Sequence, residues 1–327
     1  MHGRTNIHAY TTLLPLFGLV LLVSLSACGG ISPGVSQSTT ATPSAVATLP
    51  PSRYQITERQ NVAYGPLAAE KLDLCEPRGV TSLRPGVILI HGGGWTGGDK
   101  SSVHFQSRCT SLAALGFVVA NVNYRLADKY SYTYPQQRKD MWPAQLVDVQ
   151  LAVRWVRAHA QQLGLDPTRV CAAGSSAGAQ LAVFLGVLAT IHPGDEAQLL
   201  ANQSPKVSCV VDNSGPVDLT KVDYSSTGAY FGLFGAAYQS NPGILREASP
   251  VFDVSSQSAP MVITQGTQDT LVPPDQALEL QRALQHYHVP VQFISYDGGH
   301  VFQSLTQQQI ETIEGQTTIF LVSHLHP

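Results

Sequence analysis

The chain has 327 residues, 43% of them hydrophobic, and a formal charge of −3. That composition is ordinary for a globular protein. The near-neutral balance lacks the basic footprint that nucleic-acid binding leaves, and there is no block of like charge and no internal repeat.

The first residues read as a targeting segment. Arg4 supplies an early positive charge, and Leu13–Val23 is apolar apart from Pro15 and Gly18. An apolar core this short fits a signal peptide better than a membrane-spanning helix, which needs about 20 residues. It ends in Leu25-Ser26-Ala27-Cys28, which resembles the lipobox of bacterial lipoproteins. That resemblance implies cleavage before Cys28, lipid on its thiol, and an exported protein anchored to the cell membrane or envelope. The alternative is an ordinary secretory signal and a secreted product. Residues 28–52 are rich in Ser, Thr, Pro, Ala and Gly and carry no charge, so they read as a flexible tether. A single catalytic-size domain is expected over residues 53–327, long enough for one substantial core.

Within that domain, strand-like and helix-like stretches alternate. Gly86–Ile90, Phe117–Val122, Arg169–Ala173, Val207–Val211, Pro260–Thr264 and Val291–Ser295 are short apolar runs of the kind that form central parallel strands. Pro143–Leu163 carries Leu146, Val149, Val153 and Val156 at helical spacing and stops at Gly164. Ala177–Leu188, Pro274–Gln285 and Gln307–His324 are further helices. The expected class is α/β, a mostly parallel central sheet with helices on both faces and ligands beyond the carboxyl ends of its strands. Cys75, Cys109, Cys171 and Cys209 are an even set that permits disulfides in three pairings, or four buried free thiols.

Gly174-Ser175-Ser176-Ala177-Gly178 matches G-x-S-x-G between a strand and a helix. In that setting a sharp turn exposes the serine at the top of the sheet. A serine needs a base, and the base an orienting acid, in the chain order Ser, Asp, His for this architecture. Asp269 and His300 each follow a strand on the same rim, so Ser176, Asp269 and His300 are the expected catalytic set. Asp275 and Asp297 are rival acids; Asp297 is too close to His300 along the loop to reach the far ring nitrogen. His286, His288, His324 and His326 read as surface residues. His91-Gly92-Gly93-Gly94-Trp95 follows the third strand, where an oxyanion-binding amide belongs, and Ala177 would supply another.

These motifs, with Asn123-Tyr124-Arg125-Leu126 and Trp142-Pro143-Ala144-Gln145-Leu146-Val147-Asp148, occur in the order and spacing of the esterase/lipase branch of the α/β-hydrolases. The chain resembles the hormone-sensitive-lipase-like, acetyl-esterase and feruloyl-esterase-like group over nearly all of residues 55–325. The resemblance implies hydrolysis of carboxylic esters through an acyl-enzyme, with oxyanion donors Gly93, Gly94 and Ala177. It also implies a structural His91, no metal and no organic cofactor. Gly-Ser-Ser-Ala-Gly replaces the Gly-Asp-Ser-Ala-Gly of the lipase-like members. Gln265-Gly266-Thr267 stands where His-Gly-Asp is usual.

Two aromatic insertions border the expected site. Ala127–Met141 holds Tyr130, Tyr132 and Tyr134; Asp218–Ser249 holds Tyr224, Tyr230, Phe231, Phe234 and Tyr238. They suit a lid or acyl pocket, or a small packed subdomain. Short or aromatic acyl groups are expected, on small-molecule or polysaccharide-linked esters. An arylformamidase-like amide hydrolase is the second enzymatic reading, and a catalytically dead binding protein the third.

Overall fold

The computed structural model describes residues 51–128, 140–194, 196–223, 228–235 and 237–327. The leader, Cys28 and almost all of the tether lie outside the described residues, as do Tyr130, Tyr132, Tyr134 and Tyr224. Among the described residues no helix is long and apolar enough to cross a membrane.

The chain order is β1 (Ile56–Ala63), β2 (Lys71–Pro77), β3 (Arg84–Ile90), α1 (Val103–Ala114), β4 (Val118–Val122), α2 (Ala144–Ala158), α3 (Ala160–Leu163), β5 (Leu165–Ser175) and α4 (Ala177–Val187). It continues with β6 (Cys209–Asn213), three short helices α5 (Ala229–Phe234), α6 (Ala237–Ser240) and α7 (Gly243–Glu247), then β7 (Met261–Gly266), α8 (Pro274–His286), β8 (Val291–Tyr296) and α9 (Gln307–Leu325). The strands form one sheet in the order β1-β2-β4-β3-β5-β6-β7-β8. From β4 across to β8 all neighbours are parallel. The two strands at the other edge, β1 and β2, pair antiparallel and carry no expectation from the sequence.

The expected mostly parallel α/β sheet is thus the observed one, and side-chain alternation explains its two covered faces. Ile88, Ile90, Val210 and Ile263 point into a core shared with α2, α4 and α8. Their neighbours Val87, Leu89, Val211 and Val262 point the other way, into a core shared with α1 and α9. On α2 the stripe Leu146, Val149, Val153 and Val156 is buried. The expected single helix to Leu163 breaks at His159, and the chain turns at Gly164 with a left-handed φ of 60°.

The cysteines are paired, and the free-thiol alternative is set aside. Cys75–Cys109 joins β2 to α1 (Cα–Cα 5.8 Å), and Cys171–Cys209 joins facing positions of β5 and β6 (4.7 Å). Closing loops of 34 and 38 residues restrains the unfolded chain by about 4 kcal/mol each. Replacing either pair by alanines is therefore expected to cost roughly 2–5 kcal/mol in urea unfolding. An unchanged unfolding midpoint would show that the bridge adds no stability.

Candidate active site

Parallel pairing puts the carboxyl ends of β3, β5, β7 and β8 on one rim, and the chemistry-bearing residues leave from there. Ser176 sits between β5 and α4 with φ 54° and ψ −124°. Such a backbone costs a non-glycine residue of the order of 1–3 kcal/mol and persists only where its surroundings over-determine it. Here the Ser176 amide donates to the Asn213 carbonyl at 2.8 Å, and the Ser176 carbonyl accepts from Ala179 and Gln180. Asn213 in turn accepts from Thr264 Oγ1 (2.8 Å) and donates to Ser175 Oγ (3.2 Å). The turn is clamped by two neighbouring strands, and the side chain of Ser176 stays partly exposed.

The imidazole of His300 lies between serine and aspartate. Its Nε2 is 2.8 Å from Ser176 Oγ, and its Nδ1 is 2.8 Å from Asp269 Oδ2. With Nδ1–H donating to the carboxylate, Nε2 is left to accept from the hydroxyl. The Asp269 side chain is fully buried. Burial by itself would raise its pKa. The hydrogen bond from His300 and the amides of Val272 (2.8 Å) and Leu271 (2.9 Å) outweigh burial and hold the carboxyl below the usual range. A fourth donor comes from Gln265, whose Nε2 is 3.1 Å from Asp269 Oδ2 and 3.1 Å from the Val272 carbonyl. In the sequence Gln265 stands only as a departure from the usual His-Gly-Asp. Its signal was a polar residue at the buried end of an apolar strand.

Gly93, Gly94 and Trp95 run through φ values of 123°, 58° and 61°. Among the described residues, the amides of Gly93, Gly94 and Ala177 donate to no protein acceptor. All three residues line one pocket of about 220 Å³ with Ser176, walled further by Pro216, Ala229, Leu271 and Val272. His91 lies behind the loop and is buried; its Nδ1–H donates to the Gly92 carbonyl at 2.7 Å and its ring stacks on Tyr124 at 4.5 Å. Burial lowers its basicity, so it is a neutral packing residue.

The rival residues are elsewhere. Asp297 is exposed and accepts from Gln268 at 2.6 Å, and Asp275 is exposed on the first turn of α8. His286, His288, His324 and His326 are exposed. Of the aromatic insertion, Tyr230 and Phe234 are buried in the core, with the Tyr230 hydroxyl donating to the carbonyls of Leu219 and Val222. Those two rings pack a subdomain rather than wall the pocket; Ala229 beside them does wall it. Among the described residues, one group has metal-ligating spacing: Glu70, Asp148 and Glu196. Arg125 already bridges Asp148 (2.5 Å) and Glu196 (2.8 Å), which gives that group a structural counter-charge.

Sheet, elbow and the hydrogen-bonded serine, histidine and aspartate together define an α/β-hydrolase. Residues 72–284 match the model of the BD-FAE family, and the chain belongs to that family. It is similar to the esterase LipC of Mycobacterium tuberculosis, 28% identical over 229 residues, which are 67% of this chain and 53% of LipC. It is similar also to the esterase LipQ of that organism, 29% identical over 272 residues, 77% of this chain and 59% of LipQ. The chain thus spans a little over half the length of these curated relatives. Among solved structures, a truncated carbohydrate esterase from gut microbiota superposes with a TM-score of 0.67 at 24% identity, covering 85% of this chain and 99% of that one.

A second buried aspartate stands beside the elbow. Asp212, at the end of β6, is wholly buried and accepts one amide, from Gly215 at 2.8 Å, while its Oδ2 has no partner. Burial pushes its carboxyl up to about 7, against which the Gly215 amide acts weakly. In the unfolded chain an aspartate titrates near 3.9. Between those values the folded state holds a proton that the unfolded state has released, so stability falls as pH rises through that window. Asp212→Asn is therefore expected to equal the parent in stability near pH 4. It should gain on it up to pH 7, by an amount on the order of 4 kcal/mol. Urea unfolding of both proteins across this range checks it; parallel curves would refute it.

Proposed function

We propose that the chain is a serine carboxylesterase in which Ser176 is the nucleophile, His300 the general base and acid, and Asp269 the orienting carboxylate. The observation that carries this reading is the pair of 2.8 Å hydrogen bonds running from hydroxyl to imidazole to carboxylate. Three unclaimed amides line the same pocket. His300 Nε2 takes the hydroxyl proton as Ser176 Oγ attacks the ester carbonyl, and the oxygen left with negative charge binds the amides of Gly93, Gly94 and Ala177. The alcohol leaves with the proton from His300. Water then attacks the acyl-enzyme with the same histidine as base, releasing the acid and restoring Ser176. Asp269, kept ionised by its donors, favours the imidazolium formed in each half-reaction.

The acyl group on this reading is short or a single aromatic ring. What supports a small acyl group is the pocket beside Ser176, about 220 Å³ and walled by Pro216, Ala229, Leu271 and Val272. The relatives named as esterases support ester hydrolysis, and the carbohydrate esterase of like fold supports esters carried on a saccharide as the substrate class. Ser176→Ala should lower kcat by at least about 10⁴-fold with an unchanged melting temperature. Across p-nitrophenyl esters from C2 to C16, turnover should be greatest at the short end. A maximum at C12 or longer would overturn the acyl assignment.

The proposal extends to location. The apolar leader and Leu25-Ser26-Ala27-Cys28 support export with lipid on Cys28, and two buried disulfides suit an oxidising compartment. Cys28→Ala should then move the protein from the membrane to the soluble fraction; unaltered membrane association would exclude the anchor.

A further inference from the structure

The loop that carries the Gly93 and Gly94 amides is held partly by main chain, the Gly93 carbonyl accepting from Thr96 (3.2 Å) and Gly97 (3.0 Å) and the Trp95 carbonyl from Ala127 (2.9 Å), and partly by the side chain of Trp95. That residue holds a left-handed φ of 61°, straight after two glycines with positive φ. Its indole is 2% exposed, and Nε1 donates to Gln180 Oε1 at 3.0 Å. Gln180 is itself wholly buried on the first turn of α4, and its backbone amide donates to the Ser176 carbonyl at 3.1 Å. The other end of the same side chain, Nε2, donates to the Ala248 carbonyl at 2.7 Å, just past α7. One residue thus ties three segments together, its side-chain amide joining the glycine loop to the short-helix insertion and its main chain belonging to the serine elbow.

We infer that Gln180 is a positioning residue for the oxyanion-binding amides, acting through the indole N–H of Trp95. The inference rests on the esterase reading above and adds a residue to its machinery. Gly93 and Gly94 have no side chains with which to hold themselves, and a glycine backbone relaxes readily. The next residue along, Trp95, does have a side chain, and its indole N–H donates to Gln180. Both acceptor and donor ends of the amide are used, so its rotation is fixed with Oε1 toward the indole. Loss of that bond leaves substrate binding in place but loosens the donors that meet the oxyanion, and preorganised donors act in the transition state. A residue that merely filled the core would alter stability and leave kcat alone.

The test uses Trp95→Phe, which keeps the ring and deletes the N–H, and Gln180→Met, which keeps the length and deletes the amide. Removing an oxyanion donor outright costs about 10²–10³ in rate; displacing the loop should cost part of that, about 10–100-fold in kcat for each variant. KM should stay within about threefold of the parent. Affinity for a boronic acid, whose tetrahedral adduct on the serine presents an oxyanion, should fall by the same factor as kcat. The double variant should lose no more than Gln180→Met alone, because the two residues act through one bond. Parental kcat in Trp95→Phe, or additive losses in the double variant, would overturn the positioning role. If Gln180→Met does not fold, Trp95→Phe and its boronate affinity decide the matter. An active parent with unaffected variants sinks this inference alone. A parent that hydrolyses no ester and takes no fluorophosphonate label sinks the esterase reading, and this inference with it.

Discussion

Between β5 and α4 the backbone turns in so little space that side chains are excluded on both sides of the serine. A Cβ on Gly174 would stand 2.2 Å from the Gly178 carbonyl oxygen, and one on Gly178 would stand 2.3 Å from the carbonyl oxygens of Ile90 and His91. No rotamer relieves a clash with backbone, so both positions require glycine. The second contact reaches across to the end of β3, so the elbow helix packs main chain against main chain on the start of the glycine loop. The nucleophile and the oxyanion-binding amides are referenced to that contact. The strained φ of Ser176, the unclaimed amide of Ala177 and the loop carrying Gly93 and Gly94 all lie within a few residues of it. Rigid elements give a site its precision, and here the rigidity comes from backbone packed on backbone.

Two aspartates near this junction show how donors decide charge. Both Asp269 and Asp212 have their side chains out of water, where an ionised carboxylate is disfavoured. Asp269 accepts from four groups: two main-chain amides, the Gln265 amide and the His300 ring. Asp212 accepts from one amide and leaves an oxygen unpartnered. The first stays ionised well into acid, and the second is held as the neutral acid toward neutrality. Identical side chains at comparable depth thus take opposite states because the loop after β7 supplies donors and the end of β6 does not. An orienting acid needs that loop as much as it needs its own carboxylate.

Legibility in the sequence followed burial. Strands β3 to β7 are covered on both faces and left short apolar runs, the edge strand β8 left a mixed one, and α2, α4, α8 and α9 were visible by periodicity or by their stops. Strand β1 reads Ile-Thr-Glu-Arg-Gln-Asn-Val-Ala, half exposed along its length, and edge strands of this kind leave no apolar run to detect. Helix α1 buries only four residues and was equally silent. Ser176, Asp269 and His300 were legible because each stands just after a strand in a fixed chain order. Gln180 and Gln265 were not, because a buried amide is recognised by the partners it meets, and those partners are distant in sequence. Trp95 is 85 positions from Gln180. Cysteine pairing was closed to sequence reasoning for the same reason, since it depends on which strands become neighbours.

The acid loop also explains why substrate range and reactivity should be difficult to separate in this chain. Leu271 and Val272 hold Asp269 through their amides and, with their side chains, form one wall of the 220 Å³ pocket. Leu271 is 42% exposed at that wall, an unusual place for a large apolar side chain unless something apolar passes it. A change of side chain there to admit a larger acyl group acts on a peptide whose N–H sets the carboxylate, and a shift of the carboxylate reaches the imidazole over one 2.8 Å bond. Ala229, which also lines the pocket, offers more freedom. Ala229 contributes only a methyl group, and no hydrogen bond to the aspartate or the histidine runs through it. On the proposed reading, acyl selectivity can therefore move at position 229 with the proton path intact, whereas at 271 and 272 the two properties are carried by the same peptide units.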